Sequence, residues 1–142
     1  MKAEGLTMRS SHFGPKETMD RLEAAVASHG MVVTARIDYA SSAASLGVGL
    51  RPAESLIFRN LWAEAALVQA ARTIAIDLPL RALVWQDDEG HTCLTYVQPQ
   101  WLANRHGLFD TADDAVQRLT REIAEVVREA TKGPANGIAI RA

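Results

Sequence analysis

Length, composition and charge already exclude several classes of protein. The chain has 142 residues, with 15 Lys and Arg against 17 Asp and Glu, and a formal net charge of −2 at pH 7. Proteins that bind nucleic acid usually carry an excess of basic residues that neutralises phosphates, so this balance argues against that class. A domain of this length can fold without disulfides, and we expect one over residues 1–134, followed by a C-terminal tail at 135–142.

The chain shows no signal for export or for a membrane. No window approaches the roughly 18 consecutive apolar residues of a transmembrane helix, and the first residues lack the apolar core of a secretion signal. The single cysteine, Cys93, has no partner for an internal disulfide, as is typical of a reducing compartment. We therefore expect a cytoplasmic protein that contacts neither nucleic acid nor a membrane.

The first forty residues predict a strand, a helix and a second strand. Weak alternation over 6–13 indicates the first strand, which ends before Pro15, a favoured first residue of a helix. Apolar residues then recur at helical spacing over 16–29, and Gly30 can end that helix in a left-handed conformation. The spacing changes to alternation over 31–38, which predicts a strand with one buried side.

The next segment predicts a short helix, a strand and a longer helix. Residues 39–49 are rich in Ala, Ser and Gly, which suits a short helix followed by a turn, and Ser55–Phe58 is predicted to be a strand. Asn60 follows where a helix needs an N-cap, because its amide oxygen can accept a hydrogen bond from a backbone N–H of the first turn. The predicted buried stripe of this helix consists of Leu61, Ala65, Val68 and Ala71.

Residues 74–97 predict the last two strands of the sheet and an extended approach to them. Apolar residues alternate over 74–79, which predicts a strand-like stretch that carries one charged residue, Asp77, and leads at Pro79 into the next strand. Leu80–Gln86 and His91–Val97 are predicted to be two further strands joined by a turn at 87–90, because Asp-Asp-Glu-Gly is typical of a turn.

The last third of the chain predicts two more helices. Pro99 can open a short helix that Gly107 ends, and Thr111–Asp114 resembles a capping box at the start of a long one. The apolar stripe of the long helix consists of Ala115, Val116, Leu119, Ile123, Val126, Val127 and Ala130. Lys132–Pro134 ends it. The tail is then expected either to add an edge strand through Ile138–Ile140 or to remain mobile.

This order of elements predicts an α+β two-layer sandwich. Strands that follow one another closely favour a mainly antiparallel sheet of about five strands, in the order β-α-β(4)-α with short inserted helices. The two long amphipathic helices would cover one face of that sheet. A doubly wound nucleotide-binding fold is disfavoured, because its strands alternate with helices along the whole chain.

Four stretches resemble a known family. They are Tyr39-Ala40 with Ala43-Ala44 and Gly47, Leu50–Pro52 leading into Leu56–Phe58, Ala75–Leu80, and Trp101–Leu108. Over about residues 10–130 the chain resembles the family named domain of unknown function 302, most specifically at Asp77–Pro79 and Arg105–Gly107. The resemblance implies a TATA-box-binding-protein-like β-α-β(4)-α fold and no established activity. The family commonly has Gly-Asn-Pro where this chain has Arg59–Leu61, so the turn there can differ.

Asn60, Asp77, Tyr96 and His106 are the candidate ligand-binding residues, because they lie at the ends of elements or on strands near the centre of this pattern. A buried carboxylate must be paired, and His106 could pair with Asp77 to hold an anionic or hydroxylated ligand or to act as a general acid and base. Alternatively, Asp77 could bond only to backbone N–H groups of its turn, and His106 could favour a helix end. No cofactor motif accompanies them, so we expect no cofactor.

His91 and Cys93 are the weak candidates for a metal site. They lie two residues apart and therefore on the same side of a strand, and both can bind Zn²⁺ or Cu⁺. Two ligands do not make a site, and a third would have to come from His12, His29 or His106. A buried cysteine that packs as a small apolar residue is the commoner arrangement, so we expect no metal.

Three functions remain open from the sequence. The first is a small cytoplasmic homodimer that binds a small molecule between the sheet and the inserted helices, near the four candidate residues. The second is an interaction or assembly module whose exposed sheet edge and Trp62 engage a protein partner. The third is an enzyme that uses Asp77 and His106.

Overall fold

Five strands, five α-helices and one 3-10 helix make up residues 3–133, the part of the chain that the computed structural model describes. The elements are β1 Leu6–Ser10, α1 Pro15–Ser28, β2 Val32–Asp38, α2 Tyr39–Ala44, β3 Ala53–Arg59, α3 Leu61–Ala70, a 3-10 helix Arg72–Asp77, β4 Leu80–Gln86, β5 Thr92–Val97, α4 Pro99–Arg105 and α5 Asp113–Lys132. None of the described helices is long and apolar enough to cross a membrane. The strand or mobile segment predicted for 135–142 lies outside the described residues.

The five strands form one sheet in the order β1-β5-β4-β3-β2, and every neighbouring pair is antiparallel. The core lies between one face of this sheet and helices α1 and α5. Its fully buried side chains include Met19 and Leu22 from α1, Leu56 and Leu94 from the sheet, and Leu119 from α5. The predicted α+β sandwich with a mainly antiparallel sheet is therefore confirmed.

Local sequence explains where the long helices lie. Pro15 opens α1 at a position that needs no backbone N–H, and Gly30 follows its end with a φ of +79° that only glycine adopts easily. All seven apolar residues predicted for the stripe of α5 are buried, because they recur every three or four residues on the side that meets the sheet. Burial of these two stripes holds both helices against the same sheet face.

The strand-like stretch predicted over 74–79 is wrong. Residues 72–77 form a 3-10 helix, in which Ile74 is completely buried while Ile76 is 78% exposed. Alternation of apolar residues over so few positions does not distinguish a short strand from a tight helix. Asp77 therefore lies at the end of the 3-10 helix, just before β4, and not within a strand.

Two helix details also differ from the prediction. In α3 the buried residues are Ala63 and Leu67, while Leu61 is exposed, because a helix that is apolar on most sides offers no spacing from which to choose its buried face. The capping box before α5 does not form. Ala112, with a φ of +61°, directly precedes that helix, so Thr111 is too early in the chain to cap it.

Candidate functional site

A cavity of about 260 Å³ lies at one end of the sheet, where β3 and β5 end and β4 begins. The 3-10 helix, α4 and α5 complete its walls. Most of its wall is apolar and includes Phe58, Leu80, Tyr96, Val97, Trp101 and Ile123. Three charged residues, Asp77, Arg81 and Arg105, also line it. The cavity therefore combines an apolar body with a small charged group, as ligand sites commonly do.

Asp77 is held by two donors from the end of α4. Its carboxylate accepts a hydrogen bond from His106 Nε2 at 2.5 Å, and Arg105 Nη1 lies 2.6 and 2.7 Å from its two oxygens. The side chains of His106 and Asp77 are 9% and 19% exposed, whereas that of Arg105 is about half exposed. The ion pair therefore reaches from a nearly buried imidazole to the solvent-facing rim of the cavity.

The pKa of the Asp77 carboxyl lies below its usual range. The hydrogen bond from His106 lowers that pKa most, and Arg105 lowers it further, while burial opposes both effects. Asp77 is therefore ionised at neutral pH. Two guanidinium groups and one carboxylate leave the cavity wall with one net positive charge when His106 is neutral.

Thr73 extends this group on the other side of the imidazole. Its hydroxyl lies 2.9 Å from His106 Nδ1, so Thr73, His106 and Asp77 form a continuous hydrogen-bonded chain. When neutral His106 donates from Nε2 to the carboxylate, its Nδ1 accepts the hydroxyl hydrogen of Thr73. The chain joins the 3-10 helix to the end of α4. Thr73 and Arg105 were not among the predicted site residues. Arg105 does lie in Arg105–Gly107, one of the two segments that resemble the family most specifically, whereas no local pattern distinguishes Thr73.

Gly5 packs directly against the indole ring of Trp101, which forms one side of the cavity. It precedes β1 with a φ of +78°, and a Cβ atom at this position would lie 2.4 Å from Cγ of Trp101. Its carbonyl oxygen also accepts a hydrogen bond from the Gln98 N–H at 2.7 Å, just before α4. Only a residue without a side chain can approach the indole ring so closely.

The structure brings three of the four predicted site residues together. Asp77 and Tyr96 line the cavity, and His106 contacts Asp77, whereas Asn60 is not among the residues that line it. The side chain of Asn60 accepts the Ala63 N–H at 3.0 Å and donates to Glu122 at 3.0 Å. Asn60 therefore caps α3 and ties it to α5. Leu61 takes the first helical position, where the family's proline would also fit.

The weak metal candidates do not lie together with a third histidine. Cys93 is buried, and burial raises the pKa of its thiol. His91 is exposed in the turn between β4 and β5, where its ring lies near Asp87 and Glu89. The ligand atoms of these three turn residues all lie within 4.8 Å of one another, so a cation would meet Asp87, Glu89 and His91 rather than Cys93.

The model of the family described as Domain of unknown function DUF302 matches residues 6–126. The chain belongs to the DUF302 family. The resemblance inferred from the sequence is thus confirmed. A crystal structure of an uncharacterized conserved DUF302 protein from Bacillus stearothermophilus has the same fold, with a TM-score of 0.79 over 90% of this chain and 99% of that one. The two sequences are 19% identical.

Curated relatives of this DUF302 chain are longer proteins. A fluoride-specific ion channel, FluC 1, from Brucella suis biovar 1 (strain 1330) is 39% identical over 126 residues, which make up 89% of this chain and 50% of that protein. FluC 1 from Brucella abortus biovar 1 (strain 9-941) matches with the same identity over 47% of its length. The DUF302 chain therefore spans about half the length of the curated relatives it matches.

Proposed function

We propose that this DUF302 chain binds a small organic anion with an apolar part in the cavity at the end of the sheet. The observation that carries the proposal is the Asp77, Arg105 and His106 group beside an otherwise largely apolar wall. A ligand carboxylate would meet the net positive charge of the cavity, while its apolar part would replace water on the wall.

Each charged residue has a distinct role in this proposal. Asp77 occupies Nη1 of Arg105, and a guanidinium has five N–H donors, so further donors of Arg105 remain for a ligand. His106 is a positioning residue, because it holds Asp77 and Asp77 orients Arg105. The indole ring of Trp101 offers an aromatic ligand a flat apolar surface. At about 260 Å³ the cavity is smaller than a typical drug-sized site, so the ligand is small.

Calorimetric titration with benzoate, benzylamine and benzyl alcohol tests this proposal. The three probes share one ring and differ in charge, and we expect benzoate to bind most tightly. Arg105→Gln should weaken benzoate binding about tenfold or more, because a charge-assisted hydrogen bond contributes roughly 1.5–3 kcal/mol. Arg121→Gln, an exposed arginine on α5, is the matched control and should bind as the wild type does. Equal binding of benzoate and benzylamine would contradict the proposal.

A second candidate function is that of a partner domain for an ion channel. It is favoured by the identity of 39% to Brucella proteins named fluoride-specific ion channels, in which the matched segment makes up about half of the protein. Trp62 offers a contact for such a partner, because the residue is 45% exposed and the guanidinium of Arg118 lies over its ring at 4.2 Å.

Segment replacement tests this second candidate. This chain would replace the matched segment of the Brucella suis protein, and fluoride efflux from vesicles would be measured with and without Trp62→Ala. Efflux that needs the segment and falls in the variant would support the channel partnership. Efflux that is equal with the segment, without it and in the variant would reject that partnership and leave the ligand proposal in place.

A further inference from the structure

The second face of the sheet carries an apolar groove of about 460 Å³. Leu6, Leu83 and Val97 contribute side chains to it from three neighbouring strands, and Ala53 lies at its far side. Tyr39, the first residue of α2, bends over this face, where its hydroxyl lies 2.8 Å from Oγ of Ser55. The groove is thus a strip of apolar surface opposite the face that α1 and α5 cover.

The groove and the cavity meet at the end of the sheet. Arg81, Tyr96 and Val97 belong to the walls of both. Ala82 pairs with Tyr96, so the residues just beyond them, Arg81 and Val97, are neighbours across β4 and β5. Arg81 therefore lies where the charged cavity gives way to the apolar strip.

We propose that the cavity and the groove together bind one amphiphilic carboxylate, such as a fatty acid. Its carboxylate group would lie in the cavity near Arg105 and Arg81, and its alkyl chain would cross the sheet face over Leu83 towards Tyr39. This inference rests on the proposed function of the cavity and names its ligand class. Four residues separate the Arg81 register from the Ala53–Trp85 pair, so the strip is about 14 Å long, enough for a medium-length alkyl chain.

Charge favours this occupant over a second copy of the chain. None of the residues described along the groove is acidic, and Arg81 is basic. In a symmetric dimer across this face, each Arg81 would meet an apolar strip without a carboxylate to pair with, which is a costly arrangement for a buried charge. A molecule with one anionic end and one apolar end satisfies both parts of the surface.

Titration with carboxylates of increasing length tests the joined site. Acetate, butyrate, octanoate and dodecanoate would be titrated into the full chain below their micelle concentrations, with dodecyltrimethylammonium as a probe of equal tail and opposite charge. We expect affinity to rise about two- to fourfold per methylene, from the value of burying a CH₂ group, until the strip is filled. The cationic amphiphile should bind at least tenfold more weakly than dodecanoate.

Variants separate the headgroup site from the tail site. Leu83→Ser should remove most of the gain with chain length and leave butyrate binding unchanged, and Tyr39→Ser on α2 repeats this test should Leu83→Ser fail to fold. Leu46→Ser is the matched control, because Leu46 is an exposed leucine that follows α2 and is not among the groove residues. Arg105→Gln should weaken all carboxylates by the same factor.

Other results of these titrations would contradict the joined site, the cavity proposal or the alkyl-chain occupant. Binding of short carboxylates without any gain from chain length would overturn the joined site and leave the cavity proposal standing. A gain with chain length, combined with carboxylate affinities that Arg105→Gln leaves unchanged, would overturn both. Sedimentation equilibrium completes the test: a dimer that Leu83→Ser converts to a monomer would show that a second copy covers the strip, and would overturn the alkyl-chain occupant.

Discussion

Two aspartate–histidine pairs lie in different parts of the molecule and behave differently. Asp77 and His106 meet at 2.5 Å across 29 residues of sequence, and His106 is nearly buried. Asp87 and His91 are four residues apart in the hairpin turn. Nδ1 of His91 lies 3.4 Å from Oδ2 of Asp87, and the His91 side chain is 70% exposed. The same two residue types therefore form a packed junction at the cavity and a solvated contact in the turn.

The physical cause of the lowered carboxyl pKa also differs between the pairs. For Asp77 the largest cause is the side-chain hydrogen bond from His106. For Asp87 the largest cause is the backbone N–H of His91, which donates to Oδ1 at 2.8 Å, and the N–H of Glu89 adds to it. The local pair at Asp87 and His91 is thus held by the backbone of its turn, whereas the long-range pair at Asp77 and His106 joins separate elements.

We expect the largest difference between the cavity and the hairpin turn when one glycine in each region is substituted. Gly5 has a φ of +78° and touches Trp101, while Gly90 has a φ of +88° in the turn with nothing within 4 Å of a built Cβ. We expect Gly5→Ala to reduce the free energy of unfolding by about 2–4 kcal/mol, because left-handed strain adds to overpacking against the indole. Gly90→Ala should cost only about 1–2 kcal/mol of strain.

Urea unfolding measures both glycine variants. Gly5→Ala should also weaken benzoate binding, because the Trp101 wall must move, and Gly90→Ala should not. Equal losses of stability in the two variants would show that the indole ring adapts without cost.

Removal of each histidine is expected to have a smaller effect. His106→Ala leaves the partly buried Asp77 without its closest donor and opens a gap at the end of α4, so we expect a loss of about 1–3 kcal/mol. His91→Ala removes an exposed ring and should change stability by less than about 0.5 kcal/mol. His106→Gln, which keeps a donor, should recover part of the loss; no recovery would assign the effect to packing rather than to the hydrogen bond.

Sequence patterns predicted most of the architecture, because helices and strands with one buried face repeat their apolar residues regularly. The long helices and the β4–β5 hairpin follow from such spacing. The 3-10 helix at 72–77 could not be predicted in this way, since its few residues also alternate as a strand would. The buried side of α3 could not be predicted either, because α3 carries apolar residues on most of its sides and their spacing does not single out one face.

The candidate site was partly predictable for a different reason. Asp77 stands out as a carboxylate in an apolar stretch, and the need to pair such a charge directed attention to His106, which the structure places in contact with it. Arg105, Thr73 and the Gly5–Trp101 contact are long-range features. No spacing within one element reveals them, because they depend on how the 3-10 helix, α4 and the segment before β1 meet.

The pKa values of the two carboxyl groups provide the finest test of the comparison. NMR titration of the Asp77 carboxyl should show its lowered pKa rising in His106→Ala, with Arg105 retaining part of the shift. The pKa of Asp87 should stay low in His91→Ala, because the backbone N–H donors remain after the ring is removed. A rise of equal size at both positions would mean that the imidazole ring, and not the backbone, controls Asp87.

The same shift predicts how acid affects stability. Because the folded state lowers the pKa of Asp77 below its usual value near 3.8, the contribution of this carboxylate is fully present above the unfolded pKa and is lost as the pH falls through the folded pKa. Asp77→Asn should therefore be less stable than the wild type at pH 7, and the difference between them should shrink below about pH 4. Urea unfolding at several pH values measures this difference. A difference that stays constant down to the acid transition would assign the effect of Asp77→Asn to lost hydrogen-bond geometry rather than to the charge that His106 and Arg105 stabilise.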